Sequence, residues 1–166
     1  MTDRLVKLLR TPAGFVPPVD LAHGRVRAHA LTRADLDDDV RGINASLDLI
    51  RRTRGGDWPT EPVTADFNFV DAVWHECEFR DGNSFTYVLR TAEEEYLGCA
   101  YLYPIGMRTP LTEELRGYDV DVSWWVTPDG YDAGYYAEAY DAIGNYLLLY
   151  TADLQQKGFP TTLTVQ

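Results

Sequence analysis

Three β-rich segments follow one another in the middle of this sequence, with no helical pattern between them. They occupy residues 84–91, 96–104 and 119–126 and are dense in the β-branched and aromatic side chains that favour strands. A short acidic turn joins the first two, which predicts an antiparallel hairpin. In the third segment, alternate apolar residues are expected to share one face: Val120, Val122, Trp124 and Val126. Three consecutive strands need helices from elsewhere in the chain to cover their faces.

Helical patterns lie on both sides of these strands. We predict one helix over residues 34–52, because Thr32 is a favourable N-cap and Asp35 completes a capping box. A second helix is predicted over residues 64–80. Its apolar residues form a stripe that we expect to be buried: Phe67, Val70, Trp74 and Cys77.

A long helix is predicted over residues 132–154, after a break at residues 127–130. Its apolar and aromatic residues recur at spacings of three and four: Tyr136, Tyr140, Ile143, Leu147, Tyr150 and Leu154. Shorter strands are predicted at residues 25–31 and 161–165. The expected fold is α/β (α+β), with a mostly antiparallel central sheet flanked by helices and one βαβ crossover near the end. Residues 1–166 form one domain in this interpretation, with residues 1–18 as an N-terminal arm.

The charge of the chain bears on its partners. Its net charge is −11, which argues against nucleic acid or an anionic membrane as a partner. Residues 57–141 contain 18 acidic and four basic side chains, which either attract a cationic ligand or only keep the protein soluble. No segment has the length and apolar character of a membrane span or of a signal peptide, so we expect a cytoplasmic protein.

Metal and thiol chemistry find little support in the sequence. Two cysteines are too few for a zinc set, and residues 75–78 (HECE) lack the second histidine of a zincin helix. We expect His75 to lie on a solvated helix face, with Glu76 paired to Arg80 one turn later. His29 has no acidic partner at a useful spacing, and Cys99 is expected to be a small buried hydrophobe.

Three stretches of the sequence resemble the Gcn5-related N-acetyltransferase (GNAT) superfamily. They read FTYVLR, YLGCAYLYP and DVSWWVTPDGYDAGYYAEAYDAI, like the three central strands of that family followed by its cofactor helix. The resemblance implies a GNAT-like mixed sheet, acetyl-CoA as co-substrate, and a small-molecule or peptide amine as acceptor. The sequence ends near the fifth family strand, so it resembles a shortened member.

The family motif V-x-P-x-x-(R/Q)-x-x-G-x-(G/A) is only partly present. Val126, Pro128 and Gly134 match it, whereas Tyr131 replaces the usual Arg or Gln and Tyr136 replaces a small residue. In the family, backbone N–H groups of this turn bind the pyrophosphate of the cofactor. The resemblance therefore implies these cofactor-binding residues: Trp124, Trp125, Val126, Gly130, Tyr131, Gly134 and Tyr135.

Acetyl transfer also needs a base for the acceptor ammonium and an acid for the leaving thiolate. Family members often carry the base on the strand before this turn. Asp121, which shares a strand face with Asp119 and Ser123, is our candidate base, and Tyr136 is our candidate acid. The alternative for Asp121 is an ordinary solvated carboxylate, and the alternative for the tyrosines is core or interface packing.

The sequence supports two alternative hypotheses about function. The first is an acetyl-CoA-dependent N-acetyltransferase. The second is a non-catalytic GNAT-like domain, homodimeric or ligand-binding, that has lost acetyl-CoA binding. The altered turn favours the second, because Asp129 and Asp132 add negative charge where a pyrophosphate would bind.

Overall fold

The computed structural model describes residues 9, 14–108, 110–118, 120–156 and 163–165. Six strands form one sheet whose spatial order equals the chain order. The strands are β1 (Asp20–His23), β2 (Val26–Ala30), β3 (Phe85–Thr91), β4 (Tyr96–Pro104), β5 (Val120–Val126) and β6 (Leu163–Val165). The helices are α1 (Leu36–Ala45), α2 (Leu47–Arg54), α3 (Ala65–Asp81), α4 (Pro128–Asp132) and α5 (Tyr135–Gln156).

The sheet confirms the predicted fold class. Strands β1 to β5 pair antiparallel in succession, and β6 pairs parallel to β5 after the α5 crossover. Strand β1 was not predicted, because its four residues include only one buried side chain and so show no alternation. Within the described residues, no helix has the length and apolar character to cross a bilayer.

Two cores lie on opposite faces of the sheet. The core under α5 contains all four residues predicted to share a face of β5, together with Ala139 and Ile143 of the helix. The core under α1, α2 and α3 contains Trp125, together with Ile43 and Ile50. Because side chains alternate along a strand, β5 contributes to both cores at once.

The helix predicted over residues 34–52 is two helices with a break at Ser46. The capping box of Thr32 and Asp35 is present, but it caps a short 3₁₀ turn that leads into α1. At the break, Ser46 N–H donates to the carbonyl of Ile43, and the Ser46 carbonyl accepts from Ile50 N–H. The long helix predicted from residue 132 begins at Tyr135, and the residues predicted to break the chain form the short helix α4 instead. Gly134 lies between the two helices with a φ of +86°, which few other residues adopt.

Some predictions fall outside the described residues. They concern the side chains of Leu147, Tyr150 and Leu154, residues 161 and 162 of the last predicted strand, and most of the N-terminal arm.

The stripe predicted to be the buried face of α3 is wrong. Phe67, Val70 and Trp74 are 60%, 68% and 41% exposed. The helix instead buries Asn68, Ala72 and His75 against the sheet and α1. Apolar spacing shows that a helix has an apolar face, but it does not show which face meets the sheet.

Polar groups on the buried face of α3 explain this orientation. Asn68 Nδ2 donates to the buried Asp39 carboxylate at 2.7 Å, and His75 Nδ1 lies 2.8 Å from Thr86 Oγ1. His75 is therefore buried, contrary to the solvated face expected for it. Glu76 pairs with Arg33 rather than with Arg80, at 2.6 Å.

The same buried carboxylate of Asp39 also binds two polar groups of β4. The Asp39 carboxylate accepts from Tyr96 Oη at 2.7 Å and from Cys99 Sγ at 3.4 Å. Burial raises the pKa of the Cys99 thiol well above its ordinary value. Cys99 is thus a protonated, fully buried residue, as the sequence predicted, although it is also a hydrogen-bond donor.

Asp35 is the centre of an ion-pair network that the sequence analysis did not foresee. Its carboxylate lies 2.8 Å from His29 Nε2, 3.2 Å from Arg90 Nη2 and 3.0 Å from the N–H of Thr32. Burial alone would raise the pKa of Asp35, but the contacts with His29, Thr32 and Arg90 outweigh it and lower the pKa to about 2. His29 therefore does have an acidic partner, six residues further on.

We expect the exposed and buried faces of α3 to respond oppositely to substitution. Val70→Ser should change the free energy of unfolding by less than about 0.5 kcal/mol, because the side chain is already solvated. Asn68→Ala should cost about 2–3 kcal/mol, because it removes a hydrogen bond to a buried carboxylate. Urea unfolding measures both changes, and a large loss for Val70→Ser would contradict the orientation of α3.

We also expect Asp35 to make folding sensitive to acid. Its pKa is lower in the folded than in the unfolded chain, so its stabilisation is present above pH 3.8 and is lost as the pH falls through about 2. Between pH 5 and pH 2, wild type should lose about 1–2 kcal/mol more than Asp35→Asn, after allowance for solvent screening. Urea unfolding at several pH values measures this difference.

Asp37→Asn is the matched control for that experiment, since Asp37 is exposed on the same helical turn. It should keep the acid sensitivity of wild type. If Asp35→Asn and wild type lose the same free energy, the network around Asp35 does not hold that carboxylate ionised.

Candidate functional site

The outer edge of β5 is open along half of its length. Strand β6 pairs only with Val120, Asp121 and Val122. From Ser123 to Val126, no other described strand pairs with this edge of β5. In the described structure, this edge of β5 has no strand partner beyond Val122.

The backbone of β5 offers hydrogen-bonding groups at this open edge. Thr127 N–H donates to the Leu97 carbonyl of the β4 side at 2.7 Å. Because N–H directions alternate along a strand, Trp125 N–H also points to β4, and those of Trp124 and Val126 point to the open edge. Two of the three β5 residues that the resemblance assigns to cofactor binding thus present their backbone N–H groups at this edge.

Asp121 and Ser123 lie on the face of β5 that α1, α2 and α3 cover. Asp121 is 2% exposed, which excludes the solvated carboxylate considered as its alternative role. Its Oδ1 atom lies 3.3 Å from Arg108 Nη2. Asp119 lies outside the described residues.

Arg54 covers the same region from the end of α2. Its Nε donates to Ser123 Oγ at 3.2 Å, and its guanidinium lies 3.8 Å above the ring of Tyr101. The charged neighbours of β5 on this face are thus Asp121, Arg54 and Arg108. The acidic excess of residues 57–141 is not reproduced at this point of the sheet.

The turn after β5 uses its own backbone donors. Thr127 caps α4, accepting from Gly130 N–H with its side chain and from Tyr131 N–H with its carbonyl. The N–H groups of Ala133 and Gly134 donate to the carbonyls of Asp129 and Tyr131. Four of the amide groups in this turn are therefore already hydrogen-bonded within it.

Tyr136 crosses the open edge of β5 from one side of the sheet to the other. Its ring stacks on Trp124 with centroids 5.4 Å apart, and its hydroxyl donates to the Thr53 carbonyl of α2 at 3.2 Å. Partial burial raises the pKa of Tyr136, so its phenol is protonated at neutral pH. Tyr131 joins the cluster, 5.5 Å from Tyr136.

The remaining predicted residues separate into two groups. Trp125 is fully buried and donates its indole N–H to Tyr101 Oη at 3.0 Å. Tyr135 points away from the cluster and lies under the Arg25 guanidinium at 4.6 Å. The structure therefore brings Trp124, Tyr131 and Tyr136 together at the open edge. Asp121 lies on the opposite face of β5, in the part of the strand that pairs with β6, and Tyr135 lies apart from the cluster.

The indole N–H of Trp124 is a buried donor without a partner in the described part of the chain. Trp124 also lines a cavity of about 370 Å³ on the α5 face, together with Tyr140 and Ile143. An unsatisfied buried donor costs free energy, so such a group beside a cavity is a candidate ligand contact.

A larger cavity, of about 620 Å³, lies between the α1–α2 break and α4. It was not foreseen from the sequence, because its walls come from residues 44–53 and 128–132, which no local pattern connects. Among the described residues no group of three or more His, Cys, Asp or Glu side chains is placed to bind a metal.

Comparisons with known proteins agree with this architecture. No protein-family model and no curated protein matches the sequence. Solved structures do match, among them a ribosomal-protein-S5-alanine acetyltransferase from Vibrio fischeri, with 10% identity and a TM-score of 0.59 over 81% of this chain and 69% of that one. A putative GnaT-family acetyltransferase from Bordetella pertussis has 15% identity and a TM-score of 0.56, over 80% and 71%.

A third similar structure contains the cofactor. It is the RimL ribosomal L7/L12 alpha-N-protein acetyltransferase in complex with coenzyme A, with 10% identity and a TM-score of 0.50 over 69% of this chain. The present chain spans 57% of the length of that protein. At such identities the similarity concerns the fold. This chain has the fold of the GNAT acetyltransferases.

Proposed function

We propose that this chain binds acetyl-CoA along the open edge of β5 and transfers the acetyl group to an amine. The observation that carries the proposal is the outer edge of β5 beyond Val122, where backbone groups of Trp124 and Val126 have no strand partner in the described structure. The unpartnered indole N–H of Trp124 adds a buried donor at the same place. An extended chain with amide groups, such as pantetheine, fits an open strand edge.

Bound acetyl-CoA would supply an acyl thioester, and the residues of this chain would supply proton transfers. Asp121 would accept the proton of the acceptor ammonium, directly or through a water molecule, on the α1–α3 face of β5. Tyr136, whose hydroxyl lies beside the open edge, would donate a proton to the leaving thiolate. Turn residues 130–134 would contact the pyrophosphate.

The comparisons support one class of acceptor for this proposed reaction. Two of the similar structures are ribosomal-protein acetyltransferases, one of them an alpha-N-protein acetyltransferase. We therefore propose the α-amine of a peptide as the first acceptor class, ahead of small amines.

A second function, a non-catalytic GNAT-like domain, is favoured by the state of the turn. Four of its amide groups are bonded internally, and Tyr136 closes the β5 edge through its bond to Thr53. In that case neither acetyl-CoA nor CoA binds.

Acetyl-CoA binding is tested by calorimetric titration together with amide hydrogen exchange. We expect a micromolar Kd and slower exchange at Trp124 and Val126, whose N–H groups face the open edge. Exchange at Trp125 should not change, because its N–H already faces β4. This residue is an internal control within the same strand.

Each outcome separates the two functions. Protection of Trp124 and Val126 supports cofactor binding at β5. Binding without that protection would place the cofactor elsewhere, and absence of binding at millimolar acetyl-CoA would leave the non-catalytic domain.

The role of Asp121 is tested by Asp121→Asn. An amide cannot accept the proton, so kcat with a peptide amine should fall about 100-fold or more. The KM for acetyl-CoA should stay within about threefold of wild type, because Asp121 is not proposed to contact the cofactor.

Asp57→Asn, an exposed carboxylate in the α2–α3 loop, makes the same chemical change as a control and should have wild-type kcat. Thermal unfolding checks that Asp121→Asn still folds after Arg108 loses this carboxylate. An unchanged kcat in a folded Asp121→Asn variant would exclude Asp121 as the base.

A further inference from the structure

The cavity of about 620 Å³ has the size of a small-molecule site and lies against the turn that resembles the pyrophosphate turn. One wall is the α1–α2 break and the other is α4. The polar side chains of its lining include Ser46, Asp48, Arg52, Tyr131 and Asp132. Within the described residues, Arg52 is the basic side chain of this lining.

Ser46 is a buried donor that the fold leaves unused. The residue is 1% exposed, and its hydroxyl has no hydrogen-bond partner in the described part of the chain. Its backbone N–H and carbonyl are both engaged at the helix break, so only the side chain is available. A buried hydroxyl in the wall of a polar cavity is costly unless a ligand or water satisfies it.

Arg52 differs from the other arginines at the end of α2. Arg51 pairs with Asp48 and donates to the Pro59 carbonyl, and Arg54 is held by Ser123 and Tyr101. Arg52 is exposed, and no carboxylate of the described residues lies within ion-pair distance of it. A guanidinium is well suited to a phosphate, because its planar donors match two phosphate oxygens.

We propose that Arg52, assisted by the hydroxyl of Ser46, binds the diphosphate of CoA in this cavity. The inference rests on the proposed function and assigns a part of its cofactor site to α2. Tyr131 occupies the position where the resembling family has Arg or Gln, and four amides of the turn are already bonded. Side chains on the opposite wall therefore supply the charge and the donors that the turn does not.

Asp132 acts in the opposite direction. It is exposed on the same cavity and makes no ion pair within the described residues, whereas Asp48 is neutralised by Arg51. A carboxylate near a diphosphate weakens binding through like-charge repulsion. Removing it should therefore strengthen the binding that removal of Arg52 weakens.

The experiment compares calorimetric titrations with CoA and with pantetheine, which lacks the phosphates. Arg52→Gln should raise the Kd for CoA about 10- to 100-fold and leave the Kd for pantetheine unchanged. Ser46→Ala should raise the Kd for CoA by a smaller factor. Asp132→Asn should lower the Kd for CoA and leave pantetheine binding unchanged.

Arg41→Gln is the matched control, because Arg41 is also an exposed helical arginine but lies outside the cavity lining. It should bind both compounds as wild type does. Equal CoA affinities for wild type and Arg52→Gln, or a parallel loss of pantetheine binding, would overturn the assignment while cofactor binding itself stands. If wild type binds neither compound, both the assignment and the proposed function are wrong.

Discussion

The candidate site depends on strand β5, which pairs along one edge and packs against a core on each of its two faces. One edge pairs with β4 throughout, and its two faces contribute to two separate cores. Val122, Trp125 and Val126 are fully buried, so the strand cannot shift its register without exposing one core or the other. Within the described structure, the part of β5 without a strand partner is its outer edge beyond Val122. Strand β5 is therefore held rigidly while part of its outer edge is unpaired, so it is a fixed template along which an extended ligand can form hydrogen bonds.

The close approach of β4 keeps this template in place. Gly98 of β4 lies so near to β5 that a Cβ atom there would be 2.2 Å from the carbonyl oxygen of Trp125. Any side chain at this position would push β5 outward, towards the space that a ligand at the edge would use. The glycine thus determines how far the open edge lies from the rest of the sheet.

The sequence predicted those parts of the fold that depend on alternation and on the order of the elements along the chain. The hairpin of β3 and β4 and the shared face of β5 follow from alternation, and the crossover to β6 follows from the strand–helix–strand order. The face that α3 buries does not follow, because Asn68 and His75 find polar partners that exist only in the folded chain. The resemblance pointed to Trp124 and Tyr136, whose rings stack, and to Asp121, which lies on the opposite face of β5. It missed Arg52 and Arg54, whose positions depend on how α2 packs across β5.

The last turn of α2 connects the three parts of the candidate site. Its final carbonyls have no partner within the helix, as at any helix end. Tyr136 donates to the carbonyl of Thr53, and Arg108 donates to the carbonyl of Arg54. These two hydrogen bonds hold the first turn of α5 across the open edge and place Arg108, the partner of Asp121, at the same helix end.

The two arginines on either side of Thr53 reach different places. Each helical residue rotates the side-chain direction by about 100°, so side chains two residues apart point to nearly opposite sides of the helix. Arg52 faces the cavity beside α4, and Arg54 faces Ser123 on β5. The end of α2 therefore positions the proposed diphosphate contact, the proposed acid and the environment of the proposed base. A ligand that separates Tyr136 from Thr53 must replace the hydrogen bond between them, which lies at this same helix end.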